Sequence, residues 1–512
     1  MRTFYNRILI VFLAVCMVLA GCAADAPAAT TTTTGAALES TAATTENVST
    51  AATTEGIDFE TLDDEGPYFT TLSVGFGRVD ISPTEPVPLR GYGYSSGRMS
   101  SYIQDPLYAT CIALTDSGDN TVLLFTLDMT NSYGSVMDEA RRQISQATGI
   151  PFDAIMVSAT HNHSSPDLEN TAEASTGRYI TLLKNWMTQA AVAAMADRAP
   201  SRVYVTSTKT ENLNFVRRYQ LQNGTYAGDN FGSFKSAPIS GHETKVDDQL
   251  QLVLFQRQNK KDVMLANFQT HPHREGGSSK TNVTSDLIGP FREKVESTLG
   301  CHVAYFTGAS GNINPTSRIA EENITSNYIE HGHALADYAL DAYSTFQEIP
   351  TTSVKVTKTI YTAKVDHTFS DWGQLASEAI DYYLANGDLG FYKQFLQGSG
   401  IKNVYHLNAV QLRSKLPYQL EIPIYAVSVG DLAFVTAPFE VFDTNGMQIK
   451  NGSPFSMTFV LTCANNNLSY LPSELAFKHG GYAVDVTLFA RGTAEELVTS
   501  YLGMLQQLYF GS

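Results

Sequence analysis

The chain has 512 residues, 43% hydrophobic and 17% charged, enough apolar material for a large soluble core. Its net charge of −17 disfavours nucleic acid and anionic lipid as main partners and leaves neutral substrates open. Five cysteines with no C-x-x-C pair give no obvious disulfide framework.

The chain opens with MRTFYNRILIVFLAVCMVLAGC, where Arg2 and Arg7 precede an apolar run too short for an ordinary spanning helix. Leu19-Ala20-Gly21-Cys22 resembles the bacterial lipoprotein box. That resemblance implies a signal peptide over residues 1–21 and a lipid on the sulfur of Cys22. A plain secretory leader with an incidental Cys22 is the simpler alternative; the order of basic, apolar and small-residue regions favours the lipoprotein. Residues 22–66 are rich in Ala, Thr, Glu and Ser without apolar periodicity, and read as a disordered tether. The expected product is an exported cell-membrane lipoprotein facing the extracellular or periplasmic side. Its folded part is residues 67–512.

From there, short apolar strands alternate with amphipathic helices. TVLLFTLDMT ends near Asp128, and residues 135–151 form a helix stopped by Gly149 and Pro151. AIMVSAT runs to His161; the Ala- and Leu-rich residues 179–198 then form a helix closed at Ala199-Pro200. DVMLANFQT leads to His271, followed by a helix in residues 285–300. HVAYFTGASGNINP ends in Gly and Asn, and a further helix covers residues 325–346. QLASEAIDYYLANG is helical without legible chemistry; DLAFVTAPFE ends at Glu440 and MTFVLTCANNNLSY at Tyr470. Apolar strands of this length are usually covered on both faces. The pattern predicts an α/β fold of layered mixed β-sheets flanked by helices, with no second domain boundary. Cys111, Cys301 and Cys463 lie in strand-like runs and read as buried thiols, a bridge between two of them staying open.

Strand ends fix side chains while loops leave them free, so His161, His271, Glu440 and Tyr470 are the candidate donors. Imidazole and carboxylate suit zinc, and a tyrosine ligand needs its phenol deprotonated by the metal. Taken singly these signals are weak, since H-x-H is common by chance. Asp128 and Asp286 could orient metal-bound imidazoles, although Asp286 suits a helix cap equally well. The glycines of GFGR and GASGN read as turn-formers, because no Lys-Ser/Thr follows to make a phosphate cradle.

Nine blocks occur in order: GFGRVDISPTEPVPLRGYG, QDPLYA, SATHNHSSPD, VDD, ANFQTHP, TSDLIGPF, FTGASGNINP, VGDLAFVTAPFEVF and NNNLSYLPSELAFKHGGY. Together they resemble the catalytic domain of the neutral, non-lysosomal ceramidases, from about Gly75 to the C-terminus. The resemblance implies a zinc-dependent amidase acting on N-acylsphingosine or another N-acyl lipid. It implies zinc ligands at His161, His271, Glu440 and Tyr470, with His273 the rival to His271. It also implies substrate contacts from His163 and from Arg217 or Arg218.

Two positions depart from the family pattern. Asn314 stands where the family's Gly-Asp-x-Ser-Pro loop has serine, and Phe439 replaces the glycine of Pro-Gly-Glu. The chain also leaves no room for the family's C-terminal immunoglobulin-like domain. A direct attack by a zinc-activated water fits these changes, with His163 or an arginine stabilising the oxyanion and His163 protonating the leaving nitrogen. Asn314 can donate a hydrogen bond but cannot act as a nucleophile. Two other readings stay open: a zinc esterase or deacylase on another lipid or cell-wall compound, and a substrate-capture lipoprotein without turnover.

Overall fold

The computed structural model describes residues 72–92, 97–351, 353–396 and 399–511. The expected leader, the Cys22 lipidation site and the tether of residues 22–66 lie outside the described residues.

Strands β1 (Leu72–Asp80), β2 (Tyr108–Asp116) and β3 (Thr121–Leu127) form an antiparallel meander. Helix α1 (Gly134–Thr148) then crosses to β4 (Ile155–Ala159), which pairs parallel with β3, as a parallel pair requires a crossover. Gly149 closes α1 in the left-handed conformation at φ 75°, the stop expected from the sequence. Helix α2 (Ala174–Ala196) leads into β5 (Ala199–Lys209), β6 (Gln249–Arg257) and β7 (Val263–Phe268). Helix α3 (Ile288–Leu299) carries the chain to β8 (His302–Thr307), parallel to β7. The sheet order is β8-β7-β6-β5-β1-β2-β3-β4, with Gln347–Ile349 adding a ninth strand against β5. Every residue of β3, β4 and β7 is buried, which explains why these strands read as continuous apolar runs.

A second sheet has the order β9 (Val354–Lys364), β10 (Gln419–Val429), β11 (Leu432–Thr436), β12 (Met457–Leu461). β9 and β10 are one long hairpin whose connection is an excursion of helices, Gly373–Asn386 and Val404–Lys415 among them. That excursion has a small core of its own around Ala379, Ile380, Leu407 and Val410. β11 and β12 again run parallel.

The two sheets share a core to which Leu124, Phe255 and Phe306 contribute from one side, and Val427, Phe434 and Phe459 from the other. α1 and α2 cover the outer face of the first sheet through Met137, Ile144, Met187 and Ala190. Leu497, Tyr501 and Leu505 of a C-terminal helix (Thr493–Phe510) cover the second. The α/β layering predicted from the strand–helix alternation is therefore present as helices, sheet, sheet and helix. The GFGR glycines, expected in a turn, lie inside β1 instead. A Cβ on Gly75 or Gly77 would meet the carbonyl oxygens of Ala194 or Ala190 at 1.9 and 2.1 Å, so their absence of side chain admits the backbone of α2. Cys111, Cys301 and Cys463 are buried and unbridged. Among the described residues no helix is long and apolar enough to cross a membrane.

The large sheet curls until its two edges meet. The Thr126 hydroxyl donates to the Tyr305 carbonyl at 2.5 Å, and Thr307 Oγ1 donates to the Thr160 carbonyl at 2.7 Å. Just past β12, the Thr462 amide donates to Thr307 and the Cys463 carbonyl accepts from Ala159. The parallel pairs β3–β4, β7–β8 and β11–β12 thus deliver their carboxyl ends to one rim.

Asp128, expected to orient an imidazole, does something else. Its carboxylate is buried against Arg292 of α3 at 2.9 Å and accepts the Tyr108 amide at 3.0 Å, tying α3 to the end of β3. Removing one partner strands the other charge in the interior. Asp128→Ala is expected to cost about 3–5 kcal/mol in denaturant unfolding, and the double exchange Asp128→Leu/Arg292→Met to recover most of it.

Candidate metal centre and adjoining pocket

His161 follows β4 with φ 66°, a left-handed conformation that a residue other than glycine adopts only when its surroundings demand it. Here the turn aims the ring. Its Nδ1–H donates to the Thr130 carbonyl at 2.7 Å, which fixes the tautomer and leaves the Nε2 lone pair facing inward. Cys463 Sγ lies 3.6 Å from the same Nδ1. His161 Nε2 is 3.4 Å from Glu440 Oε2, and His271 Nε2 is 3.4 Å from that same oxygen. His163 completes the cluster, its ring centroid 5.1 Å from that of His161 and 5.5 Å from that of His271. One nitrogen from each of the three rings lies within 4.8 Å of the others.

The donor set fits a divalent cation. Ligands on a tetrahedral ion at bond lengths of about 2.0–2.1 Å stand about 3.4 Å apart, the separation both imidazoles keep from Glu440. Both nitrogens of His163, both of His271 and Glu440 Oε2 are buried without a hydrogen-bond partner among the described residues. Such groups are costly to leave unsatisfied. Burial alone would raise the Glu440 carboxyl, but His161 and His271 hold it well below the usual carboxylate range. Burial, reinforced by Arg217, pushes His271 down to about 3, and burial with three neighbouring imidazoles pushes His163 well below its ordinary value. Both rings are therefore neutral at pH 7, as ligands must be. His161 differs: burial would lower it, but Cys463 and Glu440 raise it well above its ordinary value, so the pair with Glu440 is charged until a cation displaces the proton.

Tyr470 is the register partner of Glu440 in a two-residue parallel pair, Glu440–Val441 with Tyr470–Leu471. Burial and the Glu440 charge raise its phenol well above the ordinary value, so it is neutral until a cation acts on it. Phe439, which stands in place of a glycine, is buried in the core against Phe489 at 5.2 Å. Gly311 lies in the turn closed by the Ile313 amide on the Ser310 carbonyl, as expected, and this turn packs against the segment. The Gly311 amide donates to the Val441 carbonyl at 2.8 Å, and a Cβ would come within 2.4 Å of the Glu440 carbonyl oxygen.

Two alternatives left open by the sequence separate in space. Arg217 donates to the Gly311 carbonyl at 2.7 Å and sits 5.5 Å from the Tyr470 ring centroid, beside the centre. Arg218 lines the same crevice as Arg217, but its guanidinium is engaged in a buried bidentate pair with Glu243 at 2.5 and 2.9 Å, and donates to the Gly480 carbonyl. His271 belongs to the imidazole cluster. His273 instead bonds Asn314 Oδ1 through Nε2 at 3.1 Å, and Asn314 Nδ2 donates to Asp229 Oδ2 at 2.8 Å. Asp286 neither orients an imidazole nor caps α3 in the usual way. Its carboxylate accepts the amides of Arg274, Glu275 and Leu287, pinning the loop that carries His271 and His273.

Beside the centre lies a narrow crevice of about 10 Å³, walled by Arg217, Arg218, Asp229, Gly311, Phe231, Phe442 and Tyr482. Asp229 and Tyr482 escaped the sequence reading. Tyr482 lies in the HGGY block but carries no ligand spacing, and Asp229 sits in an unremarked hairpin loop. Thr130 and Cys463, which flank His161, were equally invisible, because a carbonyl contact and a cross-sheet approach leave no local pattern.

No family model matches the chain, and no curated protein matches it in sequence. Among solved structures it is similar to neutral ceramidase from Pseudomonas aeruginosa, with a TM-score of 0.66 and 17% identity over 86% of this chain and 74% of that one. It is also similar to a ceramidase complexed with C2, with a TM-score of 0.64 and 17% identity over 86% of this chain and 75% of that one. The chain therefore has the fold of those enzymes and, at one rim of it, a histidine cluster compatible with a metal site.

The separation of the two loop histidines is testable. His271→Ala is expected to lower the affinity of the purified protein for an added divalent metal ion by about tenfold or more, while His273→Ala retains it. Metal titration of both variants reads this directly, and the opposite ranking would exchange the two assignments.

Proposed function

We propose that the protein is an exported, surface-tethered zinc hydrolase of a linear amide, with His161, His271, Glu440 and Tyr470 as the metal's ligands. The observation that carries the reading is the shared Glu440 oxygen, 3.4 Å from imidazoles on two different strands, in a fold similar to that of the ceramidases. When bound there, zinc polarises a carbonyl and lowers the pKa of a water from near 16 towards about 7.

The rest of the chemistry falls to the chain's own residues. Amide hydrolysis needs a proton on the departing nitrogen. His163 suits that transfer as a shuttle: neutral, with neither ring nitrogen hydrogen-bonded among the described residues, it would take the proton released by the attacking water and pass it to the nitrogen. Arg217 offers guanidinium N–H groups next to Tyr470 for the charge that develops on the carbonyl oxygen. Asn314 takes no covalent part, since an amide is not a nucleophile and both its ends are held, by His273 and Asp229. The reacting groups lie on strand ends braced by two sheets, which suits the precise positioning such chemistry requires. The leader and Cys22 box support export and lipid attachment, which would set this site near lipid substrates.

Zinc content near one per chain is expected for the wild type and strong loss for His161→Ala. A panel of fluorogenic N-acyl amides and matched esters should be cleaved, amides included. Activity should fall about a hundredfold or more in His161→Ala and after chelation, and return on adding Zn²⁺ to the chelated wild type. Preference for the esters alone would move the assignment to a zinc esterase. A metal-free protein purified with a hydrophobic ligand, and cleaving nothing, would make it a capture protein. For the anchor, radiolabelled fatty acid should enter the wild type and not Cys22→Ser; equal labelling would remove the lipidation proposal.

A further inference from the structure

Arg217 is pinned at both ends by consecutive peptide units of one loop. Its guanidinium donates to the Gly311 carbonyl at 2.7 Å, and its main-chain amide donates to the Asn312 carbonyl at 2.9 Å. What holds that loop is a side-chain pair that the hydrolytic scheme does not use. Asn312 Nδ2 donates to Asp443 Oδ1 at 2.7 Å, and the Asp443 amide donates back to Asn312 Oδ1 at 2.9 Å. Both side chains are buried, Asp443 completely, so water cannot replace either partner.

Asp443 lies three residues after Glu440, and between them the Val441 carbonyl accepts the Gly311 amide at 2.8 Å. The clasp therefore ties the segment bearing Glu440 to the loop that grips Arg217. The Asp443 carboxylate also accepts the Thr444 amide at 2.7 Å and the Asp247 amide at 3.2 Å. Burial pushes its carboxyl up to about 6, so at pH 7 the carboxylate form prevails, matched by these N–H donors.

We propose that Asp443 is a positioning residue for the reaction: through Asn312 it sets where the Arg217 guanidinium stands relative to Glu440 and Tyr470. This rests on the hydrolase reading for what Arg217 does there, and adds what keeps it in place. Asp443 is fully buried and does not line the crevice, so it acts only through its partners. An acid in the first turn is a common helix feature, and Asp443 does open the helix Asp443–Gly452. That role needs only the helix's own amides, such as Thr444. It does not call for a partner 131 residues away, bonded in both directions. The pairing is also polar in sense. An amide faces a carboxylate, so Asn312→Asp alone would oppose two anions, whereas Asn312→Asp with Asp443→Asn again sets one amide against one carboxylate.

The test uses the full chain loaded with Zn²⁺ and a short fluorogenic N-acyl amide. Asp443→Asn should lower kcat by about tenfold to a hundredfold with KM nearly unchanged, the scale of a small displacement of a group acting in the transition state. Its affinity for added Zn²⁺ should stay within about twofold of the wild type, since no ligand is removed. In an Arg217→Gln background the same substitution should lower kcat by less than about twofold further, because the group it positions is gone. The double exchange Asn312→Asp/Asp443→Asn should return kcat to within about threefold of the wild type. Asn312→Ala breaks the clasp from the loop side and serves if Asp443→Asn does not fold.

A readout independent of turnover is the rate at which phenylglyoxal modifies Arg217, followed by mass spectrometry with and without zinc. That rate should rise about tenfold in Asp443→Asn, the factor implied by losing one hydrogen bond to a charged group. Unchanged labelling overturns the proposal, as does a fall in zinc affinity as large as that in kcat. So does an equal fall in kcat with and without Arg217, or no recovery in the double exchange. A wild type that cleaves no amide, with labelling that still responds to Asp443, would uphold the clasp and remove the hydrolase reading instead.

Discussion

One oxygen of Glu440 faces two imidazoles that arrive on different strands, and much of the architecture follows from making that meeting possible. His161 comes from the end of β4, at one edge of the large sheet, and His271 from just past β7, next to the opposite edge. They can share a carboxylate only because the sheet curls until those edges touch, through Thr126 with Tyr305 and Thr307 with Thr160. The loops after β11 and β12 then add Glu440 and Tyr470, which pair with each other in a separate two-stranded ladder. The burial that makes β3, β4 and β7 apolar throughout also removes water from the donors they deliver. A cluster of buried imidazoles around one ionised carboxylate is stable in that setting only through mutual interaction or a cation.

The surrounding polar groups hold these donors at a distance. Thr130 orients His161 through a main-chain carbonyl, so no side chain at that position has to be of a particular type for the tautomer to be right. Asp286 gathers three amides and stiffens the loop after β7. Arg218 with Glu243 anchors the segment from which Arg217 reaches the centre. In the last two cases a buried charge secures the backbone, and a neighbouring residue carries the chemistry.

Strand-end logic made the centre legible in the sequence. A polar donor at or just past the end of an apolar, β-branched run marks a loop at a sheet rim; His161, His163, His271 and Glu440 follow such runs closely, and Tyr470 only after an Asn-rich loop. Sequence could not say that the rims coincide, since this depends on sheet curvature and on pairings hundreds of residues apart. Nor could it divide Arg217 from Arg218, because adjacent residues on an extended chain face opposite ways and the register sets which faces inward. Asp128 was misread for a related reason. It does sit at a strand end beside the site, but its partner Arg292 lies on a helix face that no local spacing ties to it. Asp229 lies in a hairpin loop without any apolar run before it, so the rule had nothing to register.

The helical excursion between β9 and β10 has a consequence for how this scaffold can diversify. It hangs from a single hairpin, packs around its own few apolar residues, and touches the pocket wall through Tyr405 against Tyr482 at 5.7 Å. Lengthening, shortening or exchanging it would reshape the outer wall while the rim histidines stayed on strands that do not depend on it. Descendants of this fold could therefore acquire new appetites by grafting at one joint, with the rim histidines untouched, so long as the Arg413 contacts to the segment bonded to Tyr470 were kept.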